Sequence, residues 1–228
     1  MINSIKRLVL PNRPVRCPIL FGPLRGARPL MNPQASVRYM LGLYEHELNG
    51  WLTKAIPRVT SLFDIGANHG YFCLGVMAAW YRLKIEGSVW AFEPQPEEID
   101  RILKGKIEQH GLKSNLVIEK CFVGSIEDAN TIVIDRYLQQ MGFDPSINRS
   151  MVKIDVEGAE MEVLQGAKSL AVAGNLFLVE VHSATLLDEV QAFFRLCNHA
   201  TEVVHQSPLP VIGRESRSLE NWWVVSKL

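Results

Sequence analysis

The sequence predicts an α/β fold: a seven-stranded, mostly parallel sheet with helices on both faces and a C-terminal antiparallel β-hairpin, preceded by a basic N-terminal extension. Three observations carry this. From about residue 60, apolar strand-like runs alternate with stretches of helical periodicity, the pattern of a parallel sheet with crossover helices. Asp64, Gly66 and Gly70 then join the first such run to a helix, the strand–turn–helix of Rossmann-like folds. Finally, residues 201–205 and 222–226 are separated by a polar loop with Pro208, Pro210 and Gly213 and by no helix, so they should pair antiparallel.

In chain order, residues 1–40 form the extension and 41–228 the catalytic-type domain; the whole length suits one large α/β unit with two parts. Gly22–Gly26 and Met31–Gln34 read as loops, and helical spacing at 39–56 predicts one or two leading helices. Strands are expected near 60–65, 88–92, 116–122, 151–155 and 176–182, with helices near 71–84, 97–110, 160–170 and 186–198. Variable loops at 1–40, 124–150, 183–186 and 206–220 should form the acceptor pocket.

The chain is neutral overall, with 24 basic and 24 acidic residues. No global field draws it to nucleic acid, which is not the expected partner. Residues 1–44 nevertheless hold seven Lys or Arg and no acid. Packing against the acidic remainder is the plainer use of such a segment, although it could also serve a nucleic-acid-modifying enzyme. Cys17, Cys73, Cys121 and Cys197 are scattered and read as small core residues of a reducing compartment. No apolar run nears the roughly 20 residues that span a bilayer, so stable membrane insertion is not expected and a cytoplasmic location is.

The glycine loop, Asp64-Ile-Gly-Ala-Asn-His-Gly70, is followed 23 residues later by Glu93, at the tip of the next strand. Glycines allow a sharp turn and close approach of backbone to a ligand. A carboxylate about twenty residues on can accept from both hydroxyls of a ribose. The loop is not the G-x-G-x-x-G of a pyrophosphate site. Asp64 can instead act on a cationic amino-acid end, directly or by fixing the loop, which points to S-adenosyl-L-methionine as cofactor. At the far strands, Lys153 and Asp155 share a face, and so do Glu180 and His182. Asp155 and Glu157 should line the site at the carboxyl ends of the strands. Lys153 could pair with Glu180 across adjacent strands. Glu160 and Glu162 open a helix where acids suit the macrodipole.

These blocks resemble the successive motifs of FkbM-type methyltransferases: Asp64–Gly70, Ala91–Gln95, Thr131–Asp135, Lys153–Glu160 and Val179–His182. The resemblance runs from about residue 41 to 228, and Lys-Ile-Asp-Val-Glu-Gly-Ala-Glu is its most specific part. The spread Thr131-Ile-Val-Ile-Asp135 departs from the family's pattern. It implies a class I enzyme that uses S-adenosyl-L-methionine to methylate a hydroxyl of a sugar, glycan or natural product. By that resemblance, Asp64, Gly66, Asn68, Gly70 and Glu93 would bind cofactor, and Asp155, Glu157 and His182 would face the reaction.

His182 is the first choice as general base, since an ordinary imidazole titrates near neutrality, and Asp155 is the second. No metal is expected, although Asp155 with Glu180 would suit Mg²⁺. An amine methyltransferase would carry a Pro-Pro-aromatic turn where this chain has Asp155-Val-Glu-Gly158, and a cytosine C5 enzyme would need a cysteine there. A small-molecule or glycan acceptor is therefore favoured over a nucleic acid or a non-catalytic binding module.

Overall fold

The computed structural model describes residues 11–34, 37–107, 115–209 and 218–228. The tip of the terminal hairpin at 210–217 and the end expected for the helix near 97–110 lie outside them. Along the chain come β1 (Val15–Arg16), β2 (Leu30–Met31), α1 (Val37–Leu41), α2 (Asn49–Ala55), β3 (Ser61–Ile65), α3 (Tyr71–Leu83), β4 (Ser88–Phe92) and α4 (Pro96–Ile107). There follow β5 (Asn115–Glu119), β6 (Phe122–Val123), β7 (Thr131–Ile132), α5 (Ile134–Met141), β8 (Ser150–Ile154) and α6 (Glu160–Gly166). The chain ends with α7 (Lys168–Val172), β9 (Leu176–Val181), α8 (Ala184–Leu196), β10 (Thr201–His205) and β11 (Trp222–Ser226).

The central sheet has seven strands in the order β10-β11-β9-β8-β3-β4-β5. β9, β8, β3, β4 and β5 run parallel, while β11 pairs antiparallel with both β9 and β10. The expected sheet and its antiparallel ending are both present. Three features were not foreseen: the small β1–β2 and β6–β7 pairs, the helix α5, and the break of the helix near 160–170 into α6 and α7.

Strand alternation sorts the core into two layers. Leu62, Met151, Leu178 and Val225 face the layer of α2 and α3, whereas Phe63, Ile65, Val152, Ile154, Phe177 and Val179 face α6, α7 and α8. α3 is apolar nearly all round, and Tyr71 to Trp80 are all buried. A helix of that kind needs cover on its outer side, and the extension supplies it. Cys17, Ile19, Leu24, Ala27 and Met31 are buried in the same apolar cluster as α3. Gly75 makes room, because a Cβ there would lie 2.8 Å from Leu24 Cβ. Arg82 fastens the segment by donating to the carbonyls of Pro23 and Arg25. On the other flank, Trp51 Nε1 donates to Ser226 O at 2.8 Å, tying α2 to the last strand.

Asp64, Lys153 and Glu180 lie on the α3 side, near the carboxyl ends of β3, β8 and β9. The strand tips are laced by backbone hydrogen bonds: Gly66 and Ala67 donate to Phe92 O, Glu93 to Glu119 O and Asp155 to Ile65 O. The cavity opens there, where the parallel strands stop.

Candidate active site

The cavity has a volume of about 490 Å³, within the range of small-ligand pockets. Gly66, Asn68, Glu93 and Gln95 form one wall; Asp155, Glu157, Glu180, His182 and Asn221 form the other. Tyr44, Cys121 and Phe122 contribute to the rest of the lining.

The first wall is held by the backbone. Glu93 is 5% exposed; its Oε2 accepts from Asn68 N at 2.8 Å and its Oε1 from Gln95 N at 2.9 Å. Each oxygen keeps a second lone pair, so the carboxylate can still take two hydroxyl donors. The loop turns on Gly66 at φ +76° and on Asn68 at φ 48°. Only glycine fits at 66, because a Cβ there would collide with the carbonyl of Asp155. Asn68 tolerates its left-handed backbone through its side chain, which accepts from His69 N at 2.7 Å.

Two of the five residues assigned to this wall stand behind it instead. Gly70, at φ +81°, precedes α3 and packs on α4; a Cβ there would lie 2.9 Å from Ile102 Cγ1. Asp64 is fully buried and does not line the cavity. Burial pushes the Asp64 carboxyl up to about 6, against the pull of Lys153.

The second wall is held by charges. Lys153, which could have paired with Glu180, is set by register opposite another carboxylate. Asp64 on β3 lies directly opposite Lys153, whereas the partner of Lys153 on β9 is Leu178. Lys153 Nζ stands 3.0 Å from Asp155 Oδ2 and 3.7 Å from Asp64 Oδ1, and donates to Gly66 O at 3.0 Å. Burial disfavours charge on this amine, but Asp155 and Asp64 more than offset it and raise its pKa. Asp155 feels the converse: burial opposes its charge, and Lys153 holds its pKa below the usual carboxylate range.

His182 sits among carboxylates. Its Nδ1 lies 3.2 Å from Glu160 Oε1, and its Nε2 lies 3.9 Å from both Glu157 Oε2 and Glu180 Oε2. Contact with Glu160 raises its pKa to about 9 despite its burial, and Glu180 adds to the shift. The imidazole thus departs from the near-neutral value on which its choice as base rested. Glu160, which sequence reasoning placed only as a favourable helix-opening acid, is fully buried and braces this ring. Its spacing gave a clue, as it ends the Lys153–Glu160 block beside Gly158, whose amide it accepts at 3.0 Å. Cys121 and Phe122 were also missed. They follow Lys120, just past the end of β5, and Phe122 is 58% exposed beside the cavity. Asp135, whose role the sequence left in doubt, is structural: it accepts from Ser169 N and, at 2.6 Å, from Ser169 Oγ.

Residues 122–200, which span β6 to α8 and so include the charged wall, match the methyltransferase FkbM domain. The chain resembles that family over those residues. It is 27% identical to the hexuronic acid methyltransferase AglP of Haloferax volcanii, over 67% of this chain and 70% of that protein. The fold resembles the crystal structure of a methyltransferase FkbM from Methylobacillus flagellatus, with a TM-score of 0.57 and 16% identity over 83% of this chain. This chain spans about half of that one, 54%. The METTL16 methyltransferase domain has a TM-score of 0.50 at 13% identity, over 78% of this chain and 66% of its own. The glycine loop and Glu93 lie outside the matched residues. Among the described residues, no helix is long and apolar enough to cross a membrane.

Proposed function

We propose that this chain uses S-adenosyl-L-methionine to methylate an oxygen, most fittingly a hydroxyl, of a sugar or glycan. The observation that carries the reading is the two-walled cavity: a backbone-held carboxylate, Glu93, faces a cluster of acceptor-side polar groups. The residues present suit the cofactor. Glu93 has lone pairs for both ribose hydroxyls, and Gly66 lets the loop turn tightly against the Asp155 carbonyl, where a side chain would collide. Phe122 offers an exposed ring for the base to stack on. The named acceptor class of the Haloferax volcanii relative supports a glycan.

When bound, the cofactor supplies an electrophilic methyl group on a sulfonium; the acceptor oxygen displaces it in line, and the hydroxyl proton is released. The chain's own task is positioning and proton acceptance. Asp155 is placed for the second, since Lys153 keeps it ionised and it lines the cavity. Asn221 and His182 are donors beside it that can orient acceptor oxygens. Asp64 and Lys153 keep the glycine loop and Asp155 in register from beneath.

Thermal unfolding with S-adenosylhomocysteine tests the pocket. At about 100 times the dissociation constant the ligand should add about 2.7 kcal/mol, or roughly 5–10 °C. Glu93→Ala should remove on the order of 1.5–3 kcal/mol of binding and most of that shift. Transfer of a labelled methyl group to neutral and acidic oligosaccharides then tests the acceptor; an alkali-stable label marks an ether, an alkali-labile one an ester. Absence of any shift in the wild type would sink the reading.

A further inference from the structure

We propose that Asp155, Glu157 and His182 form a binding site for a divalent cation on the acceptor side of the cavity. One ligand atom from each residue lies within 4.8 Å of the others, so an ion placed among them can reach all three without movement of the backbone. Two carboxylate oxygens and one imidazole nitrogen, from which the ion displaces the proton, make a mixed hard set, suited to Mn²⁺ or Mg²⁺ more than to thiophilic metals.

Three independent features support the site. The first is the orientation of the imidazole. Fully buried Glu160 faces Nδ1 at 3.2 Å, which leaves Nε2 directed at Glu157 and Glu180, 3.9 Å from each. A carboxylate behind a histidine is the usual outer partner of a metal-ligating ring. Glu160 Oε2 is itself buried with no hydrogen-bond partner, so its charge is not spent on backbone amides alone.

The second is local charge. Asp155, Glu157, Glu160 and Glu180 are four carboxylates gathered around Lys153 and His182. Lys153 contacts Asp155 through Oδ2, and the carboxylate's other oxygen can serve an ion. Crowded acids near the floor of a cavity repel one another unless a cation joins them.

The third is backbone strain. Glu157 adopts φ 57°, a left-handed conformation that costs a non-glycine residue free energy, and Gly158 follows at φ 113°. That turn brings an 86%-exposed glutamate side chain to within 3.9 Å of His182. A glycine would be the relaxed choice there, so the strain places a carboxylate.

The inference deepens the proposed function. Bound there, the cation would hold acceptor oxygens and favour loss of the hydroxyl proton to water as the carbon–oxygen bond forms and the sulfur–carbon bond breaks. The test is equilibrium binding of Mn²⁺, read by its electron paramagnetic resonance signal, to the full chain stripped with a chelator. We expect one saturable site, weakened by at least about tenfold in Glu157→Gln and in Asp155→Asn. Glu157 is exposed, so its variant should fold even if the other does not. No saturable binding at millimolar Mn²⁺, or equal binding in Glu157→Gln, would overturn the proposal. S-adenosylhomocysteine binding measured without metal reports separately on the cofactor pocket, so failure of one reading is distinct from failure of the other.

Discussion

On the wall that runs from Gly66 to Gln95, a single carboxylate is clasped by two backbone amides, whereas on the opposite wall Asp155, Glu157, Glu160, Glu180 and His182 are held mainly by one another. The first wall owes its shape to φ/ψ angles, glycine and backbone amides. The second owes its shape to charges whose balance changes with pH, with mutation and with whatever binds. Lys153 is the link, since its amine touches Asp155 on one side and the Gly66 carbonyl on the other.

Breaking that link should have the largest effect. Lys153→Met leaves Asp155 and buried Asp64 without their cation and Gly66 O without its donor. Removing one partner of a buried pair costs about 3–5 kcal/mol, and for a chain of this size each kcal/mol lowers Tm by about 2–4 °C. Both walls should suffer, so S-adenosylhomocysteine should bind more weakly even though Lys153 does not line the cavity. A variant of wild-type stability would show that the two walls stand independently.

The next effect sharpens the contrast between the walls through pH. Burial raises the Asp64 carboxyl in the folded chain to about 6, while in the unfolded chain it titrates near 3.9. Between those values the folded state keeps a proton that the unfolded state has shed. The stability this contributes is full below about pH 4 and is lost as pH rises through 6. Asp64→Asn mimics the protonated form at every pH. Chemical denaturation should therefore show the variant equal to wild type near pH 4 and more stable by on the order of 1–3 kcal/mol above pH 7. A difference that does not vary with pH would mean that Lys153 keeps Asp64 charged throughout.

The two walls also differed in how well they could be read in advance. Glu93 and the glycine loop were legible because strand, turn and helix follow one another within some thirty residues, and local sequence fixes their geometry. The sheet order was legible for a similar reason, down to the helix-free interval before Trp222–Ser226. Partnerships across strands were not. A pairing of Lys153 with Glu180 was open because both lie on one face of adjacent strands, but choosing between two flanking strands requires the register, which places Asp64 opposite Lys153. Glu160 looked like a helix-opening acid because the burial of a helix's first turn is set by neighbouring strands, here by His182 beyond β9. The helix α5 was hidden for another reason. Thr131-Ile-Val-Ile alternates like a strand, and only two of its residues, Thr131 and Ile132, form one before the helix begins at Ile134.

The smallest expected effect concerns Glu157 and is the most discriminating for the charged wall. Its side chain is 86% exposed, so its removal forfeits little burial, while its backbone at φ 57° is a conformation that glycine adopts freely. If the turn is strained only to present the carboxylate, Glu157→Gly should raise stability by about 1 kcal/mol, or Tm by about 2–4 °C. The same variant should lose Mn²⁺ binding and methyl transfer while keeping its affinity for S-adenosylhomocysteine, because Glu93 and the glycine loop are untouched. Gains and losses would then fall on opposite sides of one residue, the mark of a position kept for chemistry at the expense of stability. A fall in Tm would instead mean that attraction between Glu157 and His182 outweighs the backbone strain, and that the charged wall holds itself together without an ion.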